Sequence, residues 1–143
     1  MGDERLGCIP IKVVAPDAGL TGNAWALLLE LAELVQRYIE QGECAAIDLG
    51  ALPLTPADVD WLRERLGSGQ VRASIEAGFV SEGRTEIEET ACPGVWWVTH
   101  LNAQGGVLTR QLEICAVPDL LRADLEDTKF GCEYLKGMIS ELG

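Results

Sequence analysis

The side chains of this 143-residue chain best suited to metal or nucleophilic chemistry are five cysteines, one histidine and a cluster of glutamates, and their spacing argues against most such chemistry. Cys8, Cys44, Cys92, Cys115 and Cys132 lie far apart, with no CxxC or CxxH pair. Zinc and iron–sulfur sites usually draw two ligands from one short turn, so no closed metal site and no cofactor are expected. An odd set of scattered thiols suits reduced cysteines in the cytoplasm. Cys92 and His100 offer a conceivable dyad, but on an extended chain their spacing corresponds to about 26 Å. They meet only if the chain folds back at Pro93-Gly94. Gly67-Ser68-Gly69 follows a helical segment and lacks the lysine and hydroxyl of a phosphate loop, and no serine occupies a nucleophile elbow. The chain therefore reads as a non-enzyme. Glu82, Glu86, Glu88 and Glu89 read first as a charged sheet edge that discourages aggregation, and second as a seat for a cation or a basic peptide.

The elements that would position these groups centre on Glu89-Thr90-Ala91-Cys92-Pro93-Gly94-Val95-Trp96-Trp97-Val98-Thr99-His100, which gathers two of the four tryptophans and the sole histidine. Successive side chains on a strand point to opposite faces, so Trp96 and Trp97 cannot enter the same core. Asn102 to Gly106 reads as a three-residue hairpin loop with Gly105 in the left-handed position. That loop pairs Asn102 with Gly106, and counting back sets Thr99 opposite Thr109, Trp97 opposite Gln111 and Trp96 opposite Leu112. Trp96, Val98, Leu112 and Ile114 then form the apolar face, and Trp97 shares the other face with Thr99, Thr109, Gln111 and Glu113. Either a second layer buries both indoles, or Trp97 stands outward as a contact anchor. A four-residue loop would exchange the two.

The remaining elements follow from periodicity and punctuation. Ile9–Val14 suits a short edge strand, followed by a Pro16-Asp17-Ala18-Gly19 turn. Ala24, Leu27, Leu28, Leu31, Leu34, Val35 and Tyr38 recur at helical spacing from Asn23, the expected cap, to Gln41, with Gly42 as the stop. Cys44 to Leu49 is a nearly continuous apolar run, as for a strand covered on both faces. Thr55, Pro56 and Asp58 open a second helix with a capping-box variant, and it ends near Leu66. Val71–Glu76 and Arg84–Thr90 read as strands, and Val107–Val117 as the hairpin partner of the tryptophan strand. Pro118-Asp119 opens a terminal helical region with Leu121, Leu125, Cys132, Leu135, Met138 or Ile139, and Leu142 on its apolar side. The order predicts an α+β fold: a mostly antiparallel, mixed sheet with helices packed mainly on one face, in a single domain over 1–143.

Size and charge limit the partners. A chain this long buries roughly two thirds of its unfolded surface without staples. Its formal net charge is −12, and without a Lys/Arg cluster it is a poor ligand for nucleic acid. A basic protein surface or cationic peptide suits it better, although plain solubility explains the charge as well. No apolar run reaches membrane-span length and no basic-then-apolar leader is present, so a cytoplasmic protein is expected, without membrane insertion.

Ile47-Asp48-Leu49, Leu52-Pro53-Leu54-Thr55-Pro56-Ala57-Asp58, the Glu89–His100 block, the Asn102–Gly105 turn and the Glu113-Ile114 to Val117-Pro118 segment together resemble the C-terminal-type domain of the HupH/HyaF family of hydrogenase expression/formation proteins. The likeness runs from Trp25 to Ala123, and Pro-Gly-Val-Trp-Trp is its specific part. It implies an accessory chaperone in [NiFe] hydrogenase maturation, whose partner is a precursor subunit, above all the small iron–sulfur subunit with its basic twin-arginine signal peptide, together with other maturation proteins. Members of that family are about twice as long, which points to a short paralogue, a truncated form or a domain that pairs with itself as a homodimer. On this reading Thr90, Pro93, Gly94, Trp96, Trp97, Thr99 and His100 bind the partner, with Trp97 as anchor. The alternatives are a metal or iron–sulfur carrier using Cys92, Cys115 and His100, and a self-associating scaffold.

Overall fold

The computed structural model describes residues 19–76 and 82–143. The edge strand expected over Ile9–Val14 and most of the Pro16–Gly19 turn lie outside them. Helix α1 (Asn23–Gln41) leads to strand β1 (Ala45–Asp48), then helix α2 (Pro56–Leu66). Strands β2 (Arg72–Glu76), β3 (Arg84–Glu89), β4 (Val95–Leu101) and β5 (Val107–Ile114) follow, and helix α3 (Leu125–Leu142) ends the chain. The α+β reading holds. Among the described residues the sheet runs β1-β5-β4-β3-β2, and each of these pairings is antiparallel.

Both anchored helices begin at one buried carboxylate. Thr55 caps α2 by accepting from the Asp58 backbone N–H at 3.1 Å, while Asp58 accepts from the Thr55 N–H at 2.9 Å, a complete capping box. Asp58 also accepts from the Thr21 N–H at 3.0 Å and the Thr21 hydroxyl at 2.7 Å, which ties the start of α1 to the start of α2. Asn23 is not the cap of α1: Gly22 takes that position, and the Asn23 amide instead donates to the Pro53 carbonyl at 2.9 Å. Gly42 ends α1 in the left-handed conformation, as its position after the last periodic residue predicts.

α1 and α2 cover one face of the sheet. Ala24, Leu27 and Leu31 of α1 and Leu62 of α2 pack with Ile47, Leu112, Ile114, Val95 and Trp97 in the larger core cluster. Ile87, Trp96, Val98 and Cys115 form a second buried cluster on the opposite face, joined by Ala73, Ile75 and Leu121. Among the described residues β1 lies at the edge of the sheet, with Ile47 as its single buried residue, not the doubly covered strand its composition suggests. α3 forms as expected, but it buries none of its residues.

The hairpin loop takes its expected form, and the register does not. Asn102 donates to the Gly106 carbonyl at 2.8 Å, and Gly105 is left-handed with φ 85°. A bulge between His100 and Leu101 then moves the pairing by one residue: Leu101 lies opposite Val107, but His100 lies opposite Thr109. Leu108 is the extra residue and stays exposed. Trp97 is consequently paired with Leu112 and Trp96 with Glu113, so the two indoles exchange faces while the loop keeps its length.

Candidate functional site

The approach to β4 is a built turn. Val95 donates to the Cys92 carbonyl at 3.0 Å, with Pro93 and Gly94 between them and Gly94 at φ 94°. This is the arrangement of a type II turn, where proline presets the first central residue and glycine tolerates the second. The buried Thr90 hydroxyl braces it through the Cys92 N–H and carbonyl, both at 3.1 Å. The Ala91 N–H donates to the Leu66 carbonyl at 2.9 Å, and the Cys115 N–H to the Gly94 carbonyl at 2.9 Å. The turn thereby fastens the end of α2 to the end of β5.

Trp97 is 2% exposed and Trp96 4% exposed, so neither indole stands outward as a contact anchor. Trp97 lies in the main core with the Arg63 guanidinium 4.7 Å from its ring centre. Arg63 also pairs with Glu88 at 3.2 Å, and Glu88 with Arg72 at 2.8 Å. Burial alone would raise the Glu88 carboxyl, but hydrogen bonds and charge from Arg72 and Arg63 hold it below its ordinary value. On the opposite face, the Trp96 indole N–H donates to the Cys115 carbonyl at 3.0 Å. Thr99 is buried, and half-buried His100 places Nδ1 2.7 Å from the Thr85 hydroxyl. Of the seven residues expected to bind a partner, Pro93 alone is exposed. Trp96, Trp97, Thr99 and His100 build β4, and Thr90 and Gly94 build the turn before it.

A polar patch sits next to Trp97. Thr99 pairs with Arg110 across β4 and β5, and both Thr99 Oγ1 and Arg110 Nε are buried without a hydrogen-bond partner among the described residues. Burial lowers the affinity of the Arg110 guanidinium for its proton, and neighbouring Arg63 adds to this against the opposing charge of Asp60.

The cysteines and histidine do not converge. Cys92 is exposed in the turn before β4, whereas His100 lies towards the far end of that strand. Cys115 is buried, and its thiol is pushed up to about 11 by burial and by Glu113, Cys44 and Asp119. Among the described residues, no three of His, Cys, Asp and Glu are grouped to hold a metal ion. The carrier arrangement of Cys92, Cys115 and His100 is thus not formed.

Two exposed features remain beside the edge strand. Trp25, 60% exposed, begins a row continued by Leu29, Ala32, Gln36 and Ile39 along the outer side of α1. Glu33 and Glu40 flank this row, and Gln36 bonds Glu40 at 2.8 Å. At its Ile39 end a groove of about 820 Å³ opens between α1, β1 and the segment after β5, lined by Tyr38, Cys44, Glu113, Val117 and Arg122 among others. Burial and nearby Asp119 raise the Glu113 carboxyl, although His100 opposes the shift.

Residues 21–142 match the family described as the HupH hydrogenase expression protein, C-terminal conserved region. The chain belongs to this family. Hydrogenase expression/formation protein HoxQ of Azotobacter vinelandii is 33% identical over 116 residues, covering 80% of this chain and 40% of that protein. HupH of Rhizobium leguminosarum bv. viciae is 28% identical over 105 residues, covering 73% and 36%. The chain thus spans about two fifths of the length of these relatives. A solved structure of hydrogenase expression protein HupH from Thiobacillus denitrificans superposes with a TM-score of 0.77 at 42% identity, covering 85% of this chain and 98% of that one.

Within this member of the HupH C-terminal family, the Pro-Gly-Val-Trp-Trp block that carries the resemblance is an internal brace, and the outward indole is Trp25. Sequence reading passed over Trp25 because the neighbouring core positions Ala24, Leu27 and Leu31 accounted for the helix. Its signal was a second row, apolar except at Gln36, at spacings of four, three, four and three, offset from the first. Arg63 and Arg110 gave less notice. Forty-seven positions separate them, and the packing of α2 on the sheet brings Arg63 close enough to act on Arg110.

Proposed function

We propose that this domain is a non-catalytic assembly factor of [NiFe] hydrogenase maturation that holds an immature subunit in the cytoplasm through the outer row of α1. Membership of the hydrogenase expression protein family carries the pathway. The location rests on Trp25, an indole exposed on a helix whose opposite side is core. Tryptophan is enriched among residues that dominate interface energy, and an apolar row edged by Glu33 and Glu40 suits a segment that is both apolar and basic. A twin-arginine signal peptide on a small-subunit precursor has that chemistry. Thr90, Pro93, Gly94, Trp96, Trp97, Thr99 and His100 serve this reading as the frame that fixes the sheet under α1.

The test is capture of a small-subunit precursor bearing its signal peptide by the purified domain. Wild type is expected to retain it, and Trp25→Ala to lose most of the retention while keeping its circular dichroism spectrum. Equal capture by both proteins would move the docking surface away from α1. Absence of capture by wild type would reject the holding role itself.

A further inference from the structure

Among the described residues, α3 buries none of its side chains against another element. Leu125, Thr128, Cys132, Leu135, Ile139 and Leu142 follow one another at spacings of three, four, three, four and three, the repeat of a coiled-coil seam. Tyr134 and Met138 widen that seam on one side. All of these lie at the surface, Leu142 at 82% exposure. In proteins most helical stability comes from packing of an amphipathic face rather than from propensity, and Gly131 and Gly137 weaken this helix by about 1 kcal/mol each. The helix needs a cover.

We propose that a second copy of this chain supplies it, α3 packing against α3 in a homodimer. Three observations select this occupant. First, Leu125, Tyr134, Leu135, Met138, Ile139 and Leu142 expose roughly 700–800 Å² together, taking about 200 Å² for a whole side chain of this size; a stable interface takes about 800 Å² from each partner. Second, the seam holds no charge, and its flanking lysines are already neutralised within the helix, Lys129 by Glu126 at 3.0 Å and Lys136 by Glu133 at 3.7 Å. Nothing within the seam itself therefore selects an oppositely charged client; Asp127 and Glu141 lie on its outer edge, in line with Tyr134. Third, an uninterrupted heptad seam is complementary to itself, as a two-fold interface requires. Cys132 and Leu135 form the middle of the seam, so the two Cys132 thiols come within reach of a short cross-linker whether the helices run parallel or antiparallel.

Sedimentation of the purified chain over the micromolar range, with cross-linking by a short bis-maleimide in a Cys8→Ser/Cys44→Ser/Cys92→Ser background, tests the pairing. Wild type is expected to pass from monomer to dimer with concentration, and added salt to favour the dimer by screening the net charge of −12 on each copy. Leu135→Glu and Ile139→Glu should each weaken association by at least about tenfold, equivalent to about 1.4 kcal/mol. Cross-linking through Cys132 should disappear in Cys132→Ser. A chain that stays monomeric throughout would overturn the pairing, as would a dimer indifferent to both glutamates, or a dimer in which Cys132 never cross-links. Cross-linking needs no seam variant, so it decides the matter even if a glutamate substitution melts α3. Precursor capture by α1 is read separately, so failure of one leaves the other standing.

Discussion

Strand β4 and helix α3 both carry apolar side chains at regular spacing, yet β4 is buried almost end to end and α3 not at all. The difference lies in their neighbours. β4 is the central strand, paired with β3 and β5, and its two faces meet two separate core clusters. α3 follows β5 and, among the described residues, buries no side chain against another element. Regular spacing specifies which side of an element is apolar; the long-range partners decide whether that side becomes core or interface.

The largest effect belongs to the buried side of this contrast. Trp97→Ala removes a ring held between Leu62, Leu112 and the Arg63 guanidinium, and should cost about 3–5 kcal/mol by urea denaturation. A cost below about 1 kcal/mol, within the range of exposed substitutions, would show that the indole is not core and would dissolve the distinction between β4 and α3.

Much of that distinction was legible beforehand in the elements and little of it in their cover. The bounds of α1 and α2, the capping box of Thr55 and Asp58, the left-handed Gly105 and the α+β order follow from local chemistry, which a sequence displays. The one-residue bulge at His100–Leu101 does not, because it arises where strand pairing and loop geometry are reconciled. That single insertion put Trp97 with Leu112 instead of Gln111 and removed the basis for an outward anchor. The alternation itself was read correctly: the two indoles do face opposite ways, and a buried cluster receives each. Arg63, Glu88, Arg72 and Arg110 went unread for a related reason, since the strand register and the packing of α2 on the sheet together assemble them.

A smaller effect probes how firmly the covered face is held. Burial would raise the Asp58 carboxyl, but hydrogen bonds from the Thr55 backbone, the Thr21 hydroxyl and the Thr21 backbone hold it below its ordinary value. The folded state therefore binds this proton less readily than the unfolded one. The stabilisation is full above the unfolded carboxylate range near pH 4 and is lost as pH falls through the folded value. Asp58→Asn should cost about 1–2 kcal/mol at neutral pH, the scale of a lost cap. Its deficit relative to wild type should shrink in acid. Urea midpoints measured across that range decide the matter, and a deficit independent of pH would mean that the carboxylate charge does not hold the two helix starts together.

The smallest effect lies on α3. Leu142 is the most exposed of its apolar side chains, so in the monomer Leu142→Ser removes nothing that is packed. Unfolding measured at dilutions where the chain is monomeric should change by no more than about 0.5 kcal/mol, as for surface sites generally. At concentrations that favour the dimer, the same substitution should lower the melting temperature relative to wild type, because association contributes stability that depends on concentration. An equal loss under both conditions would place Leu142 against its own domain and make α3 a second covered element. A loss that grows with concentration assigns the stripe to a neighbouring molecule, which keeps the two regions different in kind: one apolar set is satisfied by folding, the other by assembly.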